Sequence, residues 1–235
     1  MQQLLTEQKA IENEIFEYYK NLFAEKPTIS KNIEEFLTPA AADSCPKLSD
    51  TQKQKMERKI TPEELLIYLK KTKNNVSPGS SGFSNEFFKF FWNDLKIFIS
   101  KAINFGYETG MLSITQRLGI ITLIPKGDKD KTLIKNWRPL TLLNSLYKLI
   151  SGCIAERIKP HLDTIIHGDQ KGFVQGRYIG EAIRSTYDII QWAISNNKTG
   201  ILLLIDFEKA YDSLSFSFIK KCLTFFNSTF IRAQS

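Results

Sequence analysis

Cysteine and histidine are scarce in this chain. The cysteines are Cys45, Cys153 and Cys222 in a chain of 235 residues. They are few, odd in number and far apart, so they outline neither a disulfide framework nor a zinc site, and a reducing compartment suits them best. The two histidines, His161 and His167, lie six positions apart. That spacing does not place them on one helix face, and they read as surface or loop residues rather than metal ligands. The N-terminus, Met1 to Glu7, lacks a basic segment followed by a long apolar core, so it does not read as a signal peptide. No apolar run approaches the roughly 18 residues of a membrane span. No internal repeat is visible. Neither a membrane nor a disulfide partner is therefore expected.

Positive charge and phenylalanine are well supplied. Lys and Arg number 32 against 25 Asp and Glu, a net charge of +7. Such a balance suits a polyanionic partner such as nucleic acid, although on charge alone a merely basic soluble protein fits equally well. A hydrophobic content of 42% is enough for a core, and several of the 17 phenylalanines cluster between Phe83 and Phe105.

The hydrophobic pattern divides the chain. Leu4, Ile11, Ile15, Tyr18 and Leu22 recur at helical spacing and predict an amphipathic helix over residues 3–23. Residues 27–58 hold Pro27, Pro39 and Pro46 and a charged run from Gln52 to Lys59. They read as a linker with short turns, the charged run as a solvated surface. Thr61, Pro62 and Glu64 form a capping box with proline at the first helical position, predicting a helix over 61–73. A glycine-rich turn follows at Ser77 to Gly82. Residues 85–105 read as one helix with Phe87, Phe91, Leu95, Phe98 and Ile99 on one side, an aromatic stripe of the kind that usually packs a core. A strand is predicted at 117–125, a polar lysine-rich loop at 127–135, and an extended segment at 139–143. A helix is expected from Asn144 to about Leu162, with Leu146, Leu149, Ile150, Cys153, Ile154 and Ile158 as its apolar face. Residues 168–176 form a glycine-rich loop. Residues 180–196 are expected to be helical with Ile183, Tyr187, Ile190 and Ile194 inward. Residues 201–205 read as a buried strand, and 213–226 as a last helix. Strands and helices mix without a clean βαβ alternation, which argues an α+β fold.

Three stretches could carry chemistry. Asp206 closes the apolar run 201–205, and Tyr211 follows five residues later. A carboxylate after a buried strand costs solvation unless something pairs with it. A divalent metal is one such partner, with the carbonyl of Phe207 as a natural second ligand. Phosphoryl and nucleotidyl transfer use two metal ions about 3.5–4 Å apart, and magnesium favours carboxylate oxygens. The bland alternative is an aspartate capping the following helix. Lys126 ends one strand and Arg138 begins the next, so a β-hairpin would gather Lys126, Lys129, Lys131, Lys135 and Arg138 near its tip. A planar guanidinium and a mobile ammonium both suit a triphosphate. Ordinary surface solvation is the competing reading. The third stretch, Asp169 to Arg177, contains Gly172 and Gly176, where backbone could approach a ligand closely. It could equally be a loop between helices.

Ile121 to Lys126, Asn136 to Asn144, Asp169 to Arg177 and Ile201 to Asp212, in that order, resemble the reverse transcriptases of non-LTR (LINE-type) retrotransposons. The resemblance runs from about Lys59 to Asn227, and residues 3–23 are similar to the segment preceding the polymerase core. It implies the fingers and start of the palm of a right-hand polymerase. Residues 1–58 would be a helical extension and linker, 59–198 the fingers, and 199–235 a truncated start of the palm. By the resemblance, Lys126 and Arg138 are triphosphate ligands. Asp206 is the catalytic carboxylate that holds magnesium together with the Phe207 carbonyl. Tyr211 screens the sugar 2′ position, where RNA and DNA differ. Gln170, Gly172, Phe173 and Arg177 line the template path. The implied partners are an RNA template, a DNA primer and deoxynucleoside triphosphates. The implied location is intracellular, cytoplasmic or nuclear.

The chain departs from the family pattern in two places. The usual Pro-Gly-x-Asp-Gly turn has Ser81 in place of the aspartate, which would weaken a turn-closing hydrogen bond. A Tyr/Phe-x-Asp-Asp box is absent from the sequence. Asp206 would then be the only polymerase carboxylate, and one carboxylate cannot hold two metals in the required geometry. The expectation is that this chain alone performs no processive synthesis. It would be an enzyme fragment or, alternatively, a non-catalytic module that binds RNA or RNA–DNA duplex with steep salt dependence. An unpaired strand at 201–206 would leave apolar surface uncovered, an aggregation hazard.

Overall fold

Local capping chemistry starts most of the helices. A computed structural model describes residues 4–24, 45–207, 210 and 214–226. In chain order these form α1 (Gln8–Phe23), α2 (Asp50–Glu57), α3 (Pro62–Lys71), α4 (Asn85–Phe90), α5 (Trp92–Thr109), α6 (Ile114–Arg117), β1 (Gly119–Pro125), a 3₁₀ turn (Ile134–Asn136), β2 (Trp137–Leu143), α7 (Ser145–Ile165), α8 (Ile179–Ser195) and α9 (Phe216–Phe225). Capping boxes open α2 (Ser49 with Gln52), α3 (Thr61 with Glu64) and α6 (Ser113 with Gln116). Each satisfies main-chain N–H groups that a helix start leaves unpaired. Gly110, left-handed at φ 69°, ends α5, a conformation in which a side chain would be strained. The result is α+β and helix-rich, with one two-stranded sheet among the described residues.

The described residues form two compact units. The first contains α1 and residues 59–154. Its core joins Ile60, Leu65 and Leu69 to Phe88 and Trp92, to Ile99 and Ile103 of α5, and to Leu149, Ile150 and Cys153 of α7. Leu65 is fully buried, and a leucine so placed contributes about 1.5–3 kcal/mol. A polar side chain at the edge of this core pairs with the main chain. The Asn104 side chain accepts from the Ile60 N–H at 2.8 Å and donates to the Ile60 carbonyl at 2.8 Å.

The second unit contains residues 45–58 and those from 155 to 226 that are described. Met56 and Leu48 are buried in it. Arg157 donates to the carbonyls of Met56 (3.0 Å) and Arg58 (2.5 Å), closing the end of α2. An apolar cavity of about 240 Å³ is lined by Leu48, Met56, Ile158, Leu162, Phe218 and Cys222, among others. Burial there pushes the Cys222 thiol above its ordinary value.

Four sequence expectations need correction. Part of 27–58 is helix α2 rather than linker, because Ser49 and Gln52 supply a full capping box; residues 27–44 lie outside the described residues. The helix expected over 85–105 is two helices. Phe91 (φ −90°, ψ 17°) interrupts it. Of the expected stripe, Ile99 is buried and Phe87 and Leu95 pack against the core, whereas Phe91 and Phe98 are exposed and Phe88, Trp92 and Ile103 complete the buried face. Residues 201–205 form no strand, and all five side chains are exposed; a strand requires a ladder partner, which this run lacks among the described residues. The helix at 180–196 exists as α8, but Ile183, Tyr187, Ile190 and Ile194 are exposed rather than inward.

Candidate functional site

The β1–β2 hairpin is the best-defined part of the candidate site. The strands pair antiparallel, Gly119 opposite Leu143, Ile124 opposite Arg138 and Pro125 opposite Trp137. This register places Arg138 beside the loop that Lys126 begins, so the hairpin brings these two predicted residues to one end. Arg138 is exposed and Lys126 half-buried.

The loop between them is held by its own hydrogen bonds. Lys126 donates its main-chain N–H to the Asn136 carbonyl at 2.8 Å and its ammonium to the Lys135 carbonyl at 2.7 Å. Asn136 Nδ2 donates to the Asp130 carbonyl (2.7 Å) and Trp137 Nε1 to the Lys131 carbonyl (2.9 Å). Asp130 accepts from the Thr132 hydroxyl at 2.6 Å and the Thr132 N–H at 2.9 Å. These bonds, the hydroxyl first, hold the Asp130 carboxyl below its ordinary value. Hydrogen bonds to a carboxylate favour its charged form. Lys129 and Lys131 stand exposed on this frame.

At the other end of the hairpin lies a residue to which sequence reasoning assigned no role. Asn144, 4% exposed, directly follows β2. Its Oδ1 accepts from the Ser81 N–H at 2.9 Å, and its Nδ2 donates to the Thr115 carbonyl at 2.5 Å. The neighbouring Ser145 hydroxyl donates to the Phe83 carbonyl at 2.9 Å. The turn at 77–82 is thus fastened to Asn144 by the main-chain N–H of Ser81 and not by its side chain. Gly79 permits this closeness, since a Cβ there would lie 2.5 Å from the Asn144 nitrogen and 2.6 Å from the Leu143 carbonyl carbon. The only sequence signal was Asn144's place at the end of the Asn136–Asn144 stretch.

In the second unit, Gln170, Gly172, Phe173 and Arg177 share one loop between α7 and α8. Arg177 organises it. Nε and Nη2 donate to Asp163 Oδ1 at 3.0 and 2.7 Å, Nη1 to the carbonyls of His167 (2.5 Å) and Gln170 (2.8 Å), and Nη2 to that of Ile166 (2.8 Å). A guanidinium has five N–H donors, and this loop uses them all. The side chain is only 11% exposed. Gln170 Nε2 donates to the Gly172 carbonyl at 3.1 Å. At the loop's crest Phe173 adopts a left-handed φ of 63° and is 94% exposed, a conformation costly for an aromatic residue unless its surroundings impose it.

Asp206 and Phe207 are exposed. Among the described residues, no three His, Cys, Asp or Glu side chains gather as metal ligands. The residues described therefore do not fit a resident two-metal centre. Tyr211 lies outside the described residues. No helix among the described residues is long and apolar enough to cross a membrane.

Comparison with known proteins bears on this arrangement. Residues 124–233 match the family model for reverse transcriptase (RNA-dependent DNA polymerase). The chain is 33% identical over 215 residues to an uncharacterized 149 kDa protein of transposon TX1 from Xenopus laevis, covering 92% of this chain and 16% of that protein. It is 33% identical over 104 residues to a retrovirus-related Pol polyprotein from the type-1 retrotransposable element R2 of Popillia japonica, covering 43% and 14%. It is 25% identical over 191 residues to a probable RNA-directed DNA polymerase from transposon X-element of Drosophila melanogaster, covering 77% and 21%. The chain thus spans only about a fifth or less of the relatives' lengths. The matched segment starts at the end of β1 and takes in Lys126, Arg138, the Arg177 loop and Asp206. The chain belongs to the reverse transcriptase family, of the kind carried by non-LTR retrotransposons.

Proposed function

We propose that this chain supplies the fingers and the beginning of the palm of an RNA-directed DNA polymerase that copies an RNA template onto a DNA primer from deoxynucleoside triphosphates. The single observation that carries the reading is the hairpin register, with Arg138 opposite Ile124 and Lys126 opening the adjoining loop. Two cations at one end of a ribbon suit the charge of a triphosphate. The ammonium acts as a point charge and the guanidinium as a planar fork.

The remaining residues take the following roles in this reading. Phe173 and the main chain around Gly172 face the template, with Gln170 and Arg177 shaping the loop that presents them. Tyr211 screens the sugar 2′ position. The family generally works with divalent metal ions. Asp206, with the Phe207 carbonyl beside it, is the carboxylate this segment would bring to such a centre, which the described residues do not complete.

The test is triphosphate binding, with deoxythymidine triphosphate and magnesium as probe and the Lys126→Ala/Arg138→Ala double variant as comparison. The double variant is expected to weaken binding by at least tenfold. Each charge-assisted hydrogen bond is worth about 1.5–3 kcal/mol, and 1.4 kcal/mol is a factor of ten. Equal binding by parent and double variant would refute the assignment.

A further inference from the structure

We infer that Asn144 is a positioning residue for the triphosphate-handling hairpin, an inference that rests on the function proposed above. A two-stranded ribbon is marginally stable by itself. This one is open on its flanks, with Ile120, Ile121, Ile124 and Leu140 each more than 40% exposed. Its direction must therefore be set at its root. Both strands reach that root. β2 ends at Leu143, immediately before Asn144, and α6, whose Thr115 carbonyl Asn144 holds, ends two residues before β1 begins.

The same side chain reaches a third segment through the Ser81 N–H. Ser145 repeats the tie at Phe83, next to Ser84, which caps α4. One buried amide therefore fastens both strands to the turn that leads into the Phe88–Trp92 core. The carboxamide suits the task because it accepts on one side and donates on the other. Losing either function breaks one of the two ties that Asn144 makes.

The experiment uses the whole chain and three variants: Asn144→Ala, Arg138→Ala and the pair together. Asn144→Asp serves as a fourth variant. It keeps an acceptor for the Ser81 N–H but loses the donor to Thr115. Amide hydrogen exchange is read at Ser81 and along β1 and β2, and affinity is read for deoxythymidine triphosphate with magnesium. In Asn144→Ala, exchange should rise at Ser81 and along both strands, and affinity should fall about tenfold. Asn144→Asp should leave Ser81 more protected than Asn144→Ala does. The double variant should lose less than the sum of the two single losses, because residues acting through one another are not additive.

Additive losses would mean that Asn144 only stabilises the fold and would overturn the inference. So would unchanged affinity in Asn144→Ala despite faster exchange at Ser81. If the Lys126→Ala/Arg138→Ala variant binds as tightly as the parent, the proposed function fails. Asn144 is then judged by exchange alone, and unchanged protection of β1 and β2 in Asn144→Ala overturns its role as well.

Discussion

Replacing Gly79 with alanine tests the close approach that closes the 77–82 turn. The added methyl would sit 2.5 Å from the Asn144 nitrogen and 2.6 Å from the Leu143 carbonyl carbon, whereas carbon contacts settle at about 3.5–4.0 Å. Both atoms are main chain, so no side-chain rotation relieves the overlap. Relief requires the turn to move away from the start of α7. Overpacking of this kind costs about 1–3 kcal/mol. Against it, alanine reduces the freedom of the unfolded chain and contributes about 0.4–1 kcal/mol. The first effect is larger, and a net loss of about 1–2 kcal/mol is expected. Gly168 is the matched control, with nothing near its Cβ position and no positive φ, so Gly168→Ala keeps only the unfolded-state gain. Urea unfolding of parent, Gly79→Ala and Gly168→Ala measures both. A Gly79→Ala protein as stable as the parent, or more stable, would refute the packing argument.

Two other outcomes follow from the first unit. Leu65→Ala should lower stability by about 2–5 kcal/mol, as large-to-small changes in a closed core do, and a smaller loss by urea unfolding would mean that the Ile60–Cys153 cluster is not the main core. The second outcome concerns pH. A carboxyl held low, as Asp130 is, lends stability above its unfolded-state value and loses it as pH falls through the folded one. The 126–136 loop should therefore loosen only below the ordinary carboxylate range. Thr132→Val removes the larger cause and should raise the Asp130 titration midpoint towards its ordinary value, read by NMR; an unmoved midpoint would show that the hydroxyl does not set it.

Elements stabilised by their own neighbours in sequence were legible from the sequence. Thr61 and Glu64 announced α3 because a capping box is satisfied within four residues. The strand expected at 117–125 and the extended segment expected at 139–143 announced a hairpin, found over 119–125 and 137–143, because their partner is the adjacent run. What failed depended on distant partners. Periodicity marked Ile183, Tyr187 and Ile190 as apolar on one side of α8, but it could not say whether anything covers that side. The run Ile201 to Ile205 had the composition of a strand, yet a strand exists only where another strand takes its hydrogen bonds. Lys126 and Arg138 were readable as neighbours from their places at the end of one expected strand and the start of the next. Asn144 was not, because its role lies in contacts 29 and more than 60 residues away.

The two arginines singled out from the sequence are used in opposite ways, and the difference bears on which can meet a phosphate. Arg177 spends its whole fork on Asp163 and three carbonyls of its own loop. To grip a phosphate it would have to abandon the loop that carries Phe173. Arg138 stands exposed on the ribbon, and its guanidinium is not built into a loop in that manner. Lys126 falls between them. An ammonium has three donors, and one of them ties Lys126 to the Lys135 carbonyl. A phosphate could be held by the others without dismantling the loop that fixes the nitrogen in place. The same bond that occupies one donor limits the wandering of a long, flexible side chain, and so lowers the ordering cost of binding. Of the three cations, Arg138 and Lys126 can therefore serve a triphosphate while the fold around them stays intact, and Arg177 cannot.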